Sequence, residues 1–161
     1  GETREPAVIE SSADNRSAVL AMLGQSRRTI DVFSRSLDPA IYDARDISMA
    51  IRDLIVRSPR ARVRFLVSRL EPAIVHGHRV LSLAQRLSTF VQVRVVAREH
   101  RTFNTALFIA DATGTIIRRF ADRYEGDVHF NNPIEARDLS RTFETMWATA
   151  DEDPHIRALQ I

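Results

Sequence analysis

The order in which two hydrophobic periodicities alternate constrains this chain most. Thr29-Ile-Asp-Val-Phe-Ser34, Val63-Arg-Phe-Leu-Val67 and Val91-Gln-Val-Arg-Val-Val96 are short, rich in β-branched residues and partly alternating, as strands are. Helical stripes separate them. A first helix is expected over 13–25, capped by Ser11 or Ser12, with Val19, Leu20, Met22 and Leu23 inward. A second, capped by Asp46, places Ile47, Ala50, Ile51, Leu54 and Ile55 on one face and stops at Pro59. Pro72 suits the first turn of a third, running to about Leu87. After the third strand the pattern changes. Thr105 to Ala110 and Thr115 to Phe120 read as a hairpin across Asp111-Ala-Thr-Gly114, with Gly114 supplying the left-handed turn position. Val128 to Phe130 is a short further strand. Asn132, Pro133 and Glu135 then open a last helix whose buried face is Leu139, Phe143, Met146, Trp147 and Ala150. Strand–helix alternation followed by a hairpin specifies an α/β fold, with a mixed sheet and helices on both faces.

Composition narrows the chemistry. A chain of 161 residues with 44% hydrophobic content supports one domain with an ordinary core. The expected division is an N-terminal linker or tag remnant over 1–11 and a single domain over 12–161. No run of about 18 apolar residues occurs, so no membrane span is expected. Zero cysteines exclude disulfides and thiolate chemistry, and the cytoplasm is the expected compartment. The chain is arginine-rich: all 23 basic residues are Arg, so lysine Schiff bases and lysine general bases are excluded. The charge is uneven. Residues 57–101 hold ten Arg against Glu71 and Glu99, whereas residues 122–161 hold nine acids against four Arg. Such asymmetry fits either an anion-binding surface or two regions of one fold that face each other.

The closing third carries a resemblance. The run Asn104-Thr-Ala106-Leu-Phe-Ile-Ala-Asp111, the partner strand after Thr113-Gly-Thr, and the final Phe143-x-x-x-Trp147-x-x-Ala150 resemble one half of a phospholipase D-like domain. In that superfamily a strand carries His-x-Lys-x-x-x-x-Asp. The His attacks phosphorus, the Lys neutralises phosphate oxygens, the Asp orients the His, and two halves build one site. Here Asn104 stands at the His position and Ala106 at the Lys position; Asp111 alone matches. The family's downstream Gly-Ser-x-Asn clamp is not visible, since that region reads Arg118-Arg-Phe-Ala121. An amide nitrogen has no nucleophilic lone pair, and Ala106 offers no charge. The resemblance therefore implies a phospholipase D-like half without its reaction, a pseudoenzyme with no catalytic residue, no cofactor and no metal. It also implies pairing as a homodimer, with the hairpin and the basic segment as contacts. Domains like this one are similar to those accompanying GNAT-type acetyltransferases in bacterial proteins, which implies a fused or partner acetyltransferase.

The residues leave further candidates. Strand ends carry Ser34-Arg35-Ser36, Ser68-Arg69 and Arg98-Glu-His100-Arg101. In open α/β sheets ligands sit beyond such ends, so Arg35, Arg69, Arg98, His100 and Arg101 form a candidate anion pocket beside Asn104. His76 and His78 lie two apart on an expected helix, a spacing that points them apart and argues against a metal. Arg62, Arg64 and Arg94 alternate with apolar residues, as an outward strand face would. With Phe65 and Phe90 the only aromatics over 57–101, single-strand nucleic-acid binding is not favoured. A competing enzyme reading uses His100 or His129 as a base beside Asp111.

Overall fold

The computed structural model describes residues 6–152. Among the described residues, seven strands form one sheet in the order β1 (Ala7–Ile9), β7 (Gly126–His129), β6 (Gly114–Arg118), β5 (Ala106–Ala110), β2 (Thr29–Phe33), β3 (Arg62–Val67), β4 (Val91–Val95). Its centre is β2, parallel to β3, which is parallel to β4. On the other side β5 runs antiparallel to β2, and β6 and β7 continue antiparallel. The expected α/β architecture is therefore present.

Among the described residues, five helices cover one face: α1 (Ser12–Gln25), the short α2 (Pro39–Tyr42), α3 (Arg45–Arg57), α4 (Glu71–His76) and α5 (Arg79–Arg86). They bury Val32, Phe65, Phe108 and Ile116 against Leu23, Ile51, Leu54 and Val80. On the other face stands α6 (Pro133–Thr149), which covers Phe33, Leu66, Leu107 and Ile109 with Phe143, Met146 and Trp147. Ser11 caps α1, its hydroxyl accepting from the Asp14 N–H. Asn132 caps α6, with Pro133 in the first turn.

Several sequence expectations are corrected. Residues 7–9 are not linker: Ala7–Ile9 form β1, antiparallel to β7, and Ile9 is buried. Three residues are too few to show a period, and only the free edge of β7 makes them a strand. The expected third helix is two. Gly77 takes φ 75, a left-handed C-cap, and His78 starts α5 anew. Asp46 lies inside the first turn of α3, after Ala44, and does not cap it. The hairpin turn takes its left-handed residues at Asp111 (φ 52) and Ala112 (φ 56), and not at Gly114. At Gly114 a Cβ would stand 2.7 Å from the Met22 sulfur, so a larger residue there would make the Met22 side chain shift.

Arg64 is the largest correction. It is 4% exposed and lies beneath α6, not on an outward face. Its Nε donates to Asp31 at 2.8 Å, and its other nitrogens reach both carboxylate oxygens of Glu144. The guanidinium also packs over the rings of Phe143 and Trp147, at 5.0 and 5.1 Å. Arg94 lies 4.3 Å from the Trp147 ring and donates to the Trp147 carbonyl. Part of the basic segment and part of the acidic segment thus face each other inside one fold.

Candidate functional site

The carboxyl ends of β2 and β3 and the start of β5 meet at one edge of the sheet. Register pairs Phe33 with Leu107, so Ser34 falls beside Ala106, and Ala106 pairs with Arg118 on β6. Side chains of paired residues share a face. This row therefore lies under the helices, among Ile116, Phe108 and Val32.

Ala106 and Arg118 are both buried. The Arg118 guanidinium donates to the Arg123 carbonyl at 2.7 Å and packs 5.6 Å from the Tyr124 ring. Tyr124 hydrogen-bonds Asp38, and burial followed by that bond raises its phenol pKa. Tyr42, packed edge-on against Phe65, has its phenol pushed up by burial; Arg118 opposes the shift and Asp38 adds to it. Both phenols are therefore un-ionised at neutral pH. Asn15 ties α1 to this group, its side-chain amide donating to the Tyr124 carbonyl at 2.9 Å. Sequence reading missed this cluster. Its one signal was Arg118, two residues after Ile116 and so on the same face.

The three positions compared with the family motif are not brought together. Asn104 is partly buried at the entrance to β5, its carbonyl accepting from the Ala121 N–H at 2.8 Å. Asp111 lies at the opposite end of the strand. Its carboxylate accepts the N–H groups of Arg27, Arg28 and Thr29 at 2.8, 2.8 and 2.9 Å, which fastens the α1–β2 connection. Asp111 therefore does not orient the residue at 104, and its oxygens are already engaged with respect to His100 or His129. This agrees with the turn role expected of it.

The loop residues Arg35, Arg69, Arg98, His100 and Arg101 all lie at the same sheet edge. Arg35 is held near Arg69 because its carbonyl accepts from the N–H groups of Ser68 and Arg69, at 3.1 and 2.9 Å. The four arginines are exposed and His100 is partly so. Acids already stand beside two of the five: Glu71 lies 4.0 Å from Arg69, and Glu99 lies 3.7 Å from His100.

His78 is buried and structural. Its Nε2–H donates to the Leu37 carbonyl at 2.9 Å, so Nδ1 is free to accept the Val80 N–H at 3.0 Å and cap α5. His76 ends α4 and is exposed. His129 sits on β7 opposite Thr115. His155 lies outside the described residues. No group of three His, Asp or Glu side chains able to hold a metal exists among the described residues. Nor, among them, is any helix long and apolar enough to cross a membrane.

A second arginine cluster lies away from this edge. Arg45 and Arg52 on α3, and Arg79 and Arg86 on α5, line one groove of about 480 Å³. The sequence signal was present as a seven-residue spacing on both helices. What it could not show was that α3 and α5 lie side by side.

The family model for a domain of unknown function, DUF7931, matches residues 11–159. The chain belongs to this family. No curated protein matches it in sequence. Among solved structures, Nuc from Salmonella typhimurium, a phospholipase D family member, superposes with a TM-score of 0.64 at 16% identity, covering 92% of this chain and 99% of that one. NucT from Helicobacter pylori gives 0.64 at 12% identity with the same coverages. TrmBL2, an archaeal chromatin protein described for a novel mode of DNA binding, gives 0.65 at 14% identity over 93% of this chain. The chain spans about half of TrmBL2, 54% of its length. This DUF7931 domain thus has the phospholipase D-like fold.

Proposed function

We propose that this domain is a phospholipase D-like module that works by binding and assembly, without phosphohistidine chemistry. The observation that carries the reading is the local chemistry at residues 104 and 106. Asn104 supplies no nucleophile, Ala106 is buried and uncharged, and its cross-strand partner Arg118 is already committed to the Arg123 carbonyl and the Tyr124 ring. Removal of a nucleophile leaves at most residual rate from binding and electrostatics. The test is hydrolysis of bis(p-nitrophenyl) phosphate by the purified protein. Release of nitrophenol at the buffer rate is expected. Turnover that disappears in Asn104→Ala would overturn the reading.

Assembly in this reading means a second copy of the chain. Val8, Ile117 and Phe120 support it: they line one recess at the β1 edge, and Val8 and Phe120 are 71% and 54% exposed. Light scattering across a concentration series is expected to show a dimer; a strict monomer at high concentration would reject it. The exposed arginines Arg35, Arg69, Arg98 and Arg101, with His100, add an anion-binding edge. Replacing Arg69 and Arg98 with Ala is expected to weaken phosphate binding, and unchanged binding would remove that edge from the proposal.

A nucleic-acid ligand is the second reading. It is favoured by the likeness of fold to TrmBL2, whose own description is of DNA binding, and by the arginines the chain carries on its helical face.

A further inference from the structure

The groove between α3 and α5 is set apart by how its arginines are arranged. Strands β2, β3 and β4 are parallel, so α3 and α5, which each return the chain, run in the same direction. The Arg79 N–H donates to Asp43, just before α3, which sets the starts of the two helices side by side. Arg45 and Arg79 therefore lie at one end of the groove. Seven residues on, about 10 Å along each axis, Arg52 and Arg86 lie at the other. Ser48 and Ser82 stand between the two pairs. Among the described residues that line the groove, one carboxylate, that of Asp53, stands against four guanidinium groups.

These cations are poorly neutralised. Arg79 is paired with Asp43 at 3.3 Å. Among the described residues no carboxylate pairs with Arg45, Arg52 or Arg86, and all three are exposed. The guanidinium groups of Arg45, Arg52 and Arg86 have no such partner and repel one another unless an anion joins them. Guanidinium forks match phosphate oxygens in geometry, and the Ser48 hydroxyl adds a neutral donor, whereas that of Ser82 already donates to the His78 carbonyl. Among the described residues no aromatic lines the groove, so they offer nothing to stack on a base.

We infer that the α3–α5 groove binds a ligand carrying two or more phosphate groups, one held by Arg45 and Arg79 and the next by Arg52 and Arg86. The chemistry is that of a nucleic-acid backbone or of a short polyphosphate. The inference rests on the reading of the domain as a binding module, but not on Asn104 or Ala106.

Two probes separate the sources: a fluorescent 20-nucleotide single strand and inorganic tripolyphosphate. Each is titrated against the wild-type protein, R52Q/R86Q, and the control R60Q/R141Q, which removes the same charge outside the groove. All four positions are exposed, so the variants should fold, and circular dichroism checks this. Binding should weaken about tenfold or more in R52Q/R86Q, with little change in the control, and the salt slope for the oligonucleotide should fall by about 1 to 2. Binding of the oligonucleotide but not tripolyphosphate assigns a nucleic-acid backbone; the reverse assigns a small polyphosphate. Equal loss in both variants would reject the groove while leaving a nucleic-acid reading intact. No binding of either probe would overturn the proposal outright.

Discussion

Ala106 and Arg118 are directly paired across β5 and β6, both buried, on the face that the helices cover. The cation at this sheet edge thus comes from the neighbouring strand, and it is held by the Arg123 carbonyl and the Tyr124 ring. Introducing Lys at 106 would set two like charges opposite each other in a buried row. We expect Ala106→Lys to destabilise the protein by about 2 kcal/mol or more, a melting temperature lower by roughly 4–8 °C. The double variant Ala106→Lys with Arg118→Ser should recover part of this loss, measured as a double-mutant cycle. Strictly additive effects would show that the two side chains do not interact.

Arg64 and Glu144 share an ion pair but differ in exposure. Arg64→Ala strands the buried Asp31 carboxylate and removes the cation beneath Phe143 and Trp147, and should cost about 3–5 kcal/mol. Glu144→Ala removes a half-exposed partner and should cost about 1 kcal/mol or less. Equal losses in chemical denaturation would contradict the arrangement. The Arg64 hydrogen bond holds the Glu144 carboxyl below its ordinary value, against the opposing effect of burial. The stability it adds is present above about pH 4.5 and lost as pH falls further.

His78 gives a dependence nearer neutrality. Burial lowers its pKa from the ordinary 6.5, against the opposing pull of the Leu37 hydrogen bond. The unfolded chain therefore binds a proton more readily than the folded one. Stability is full above about pH 6.5 and declines below it, as protonation also takes Nδ1 from the Val80 N–H. His78→Asn keeps a capping acceptor and should flatten the melting temperature between pH 5 and 7. A profile unchanged from wild type would assign the dependence elsewhere.

The hairpin turn holds Ala112 in left-handed backbone, where an L side chain costs about 1–2 kcal/mol. Ala112→Gly should relieve this and raise the melting temperature by roughly 2–4 °C. A lower melting temperature would mean that the side chain contributes packing that outweighs the strain.

Asp111→Ala should lower stability by about 2–3 kcal/mol, because three N–H groups of the α1–β2 connection lose a charged acceptor. Hydrogen exchange at Arg28 and Thr29 should quicken in this variant. Unaltered exchange there would show that another group fastens the connection.

Local pattern determined much of this protein before any contact was known. Period two marked β2, β3 and β4, the stripe from Ile47 to Ile55 marked α3, and Ser11 or Ser12 and then Asn132 marked helix starts, because each signal lies within a few residues of chain. Asp111 could be read as a turn residue for the same reason. The tertiary structure alone decided which face each element shows and to what. A period reports that two faces differ, and it does not say whether a later helix covers the polar one; α6 does so for Arg64, from eighty positions away. The edge of β7 made Ala7–Ile9 a strand. The parallel course of α3 and α5 placed Arg45, Arg52, Arg79 and Arg86 on one groove, a convergence that neither helix shows by itself.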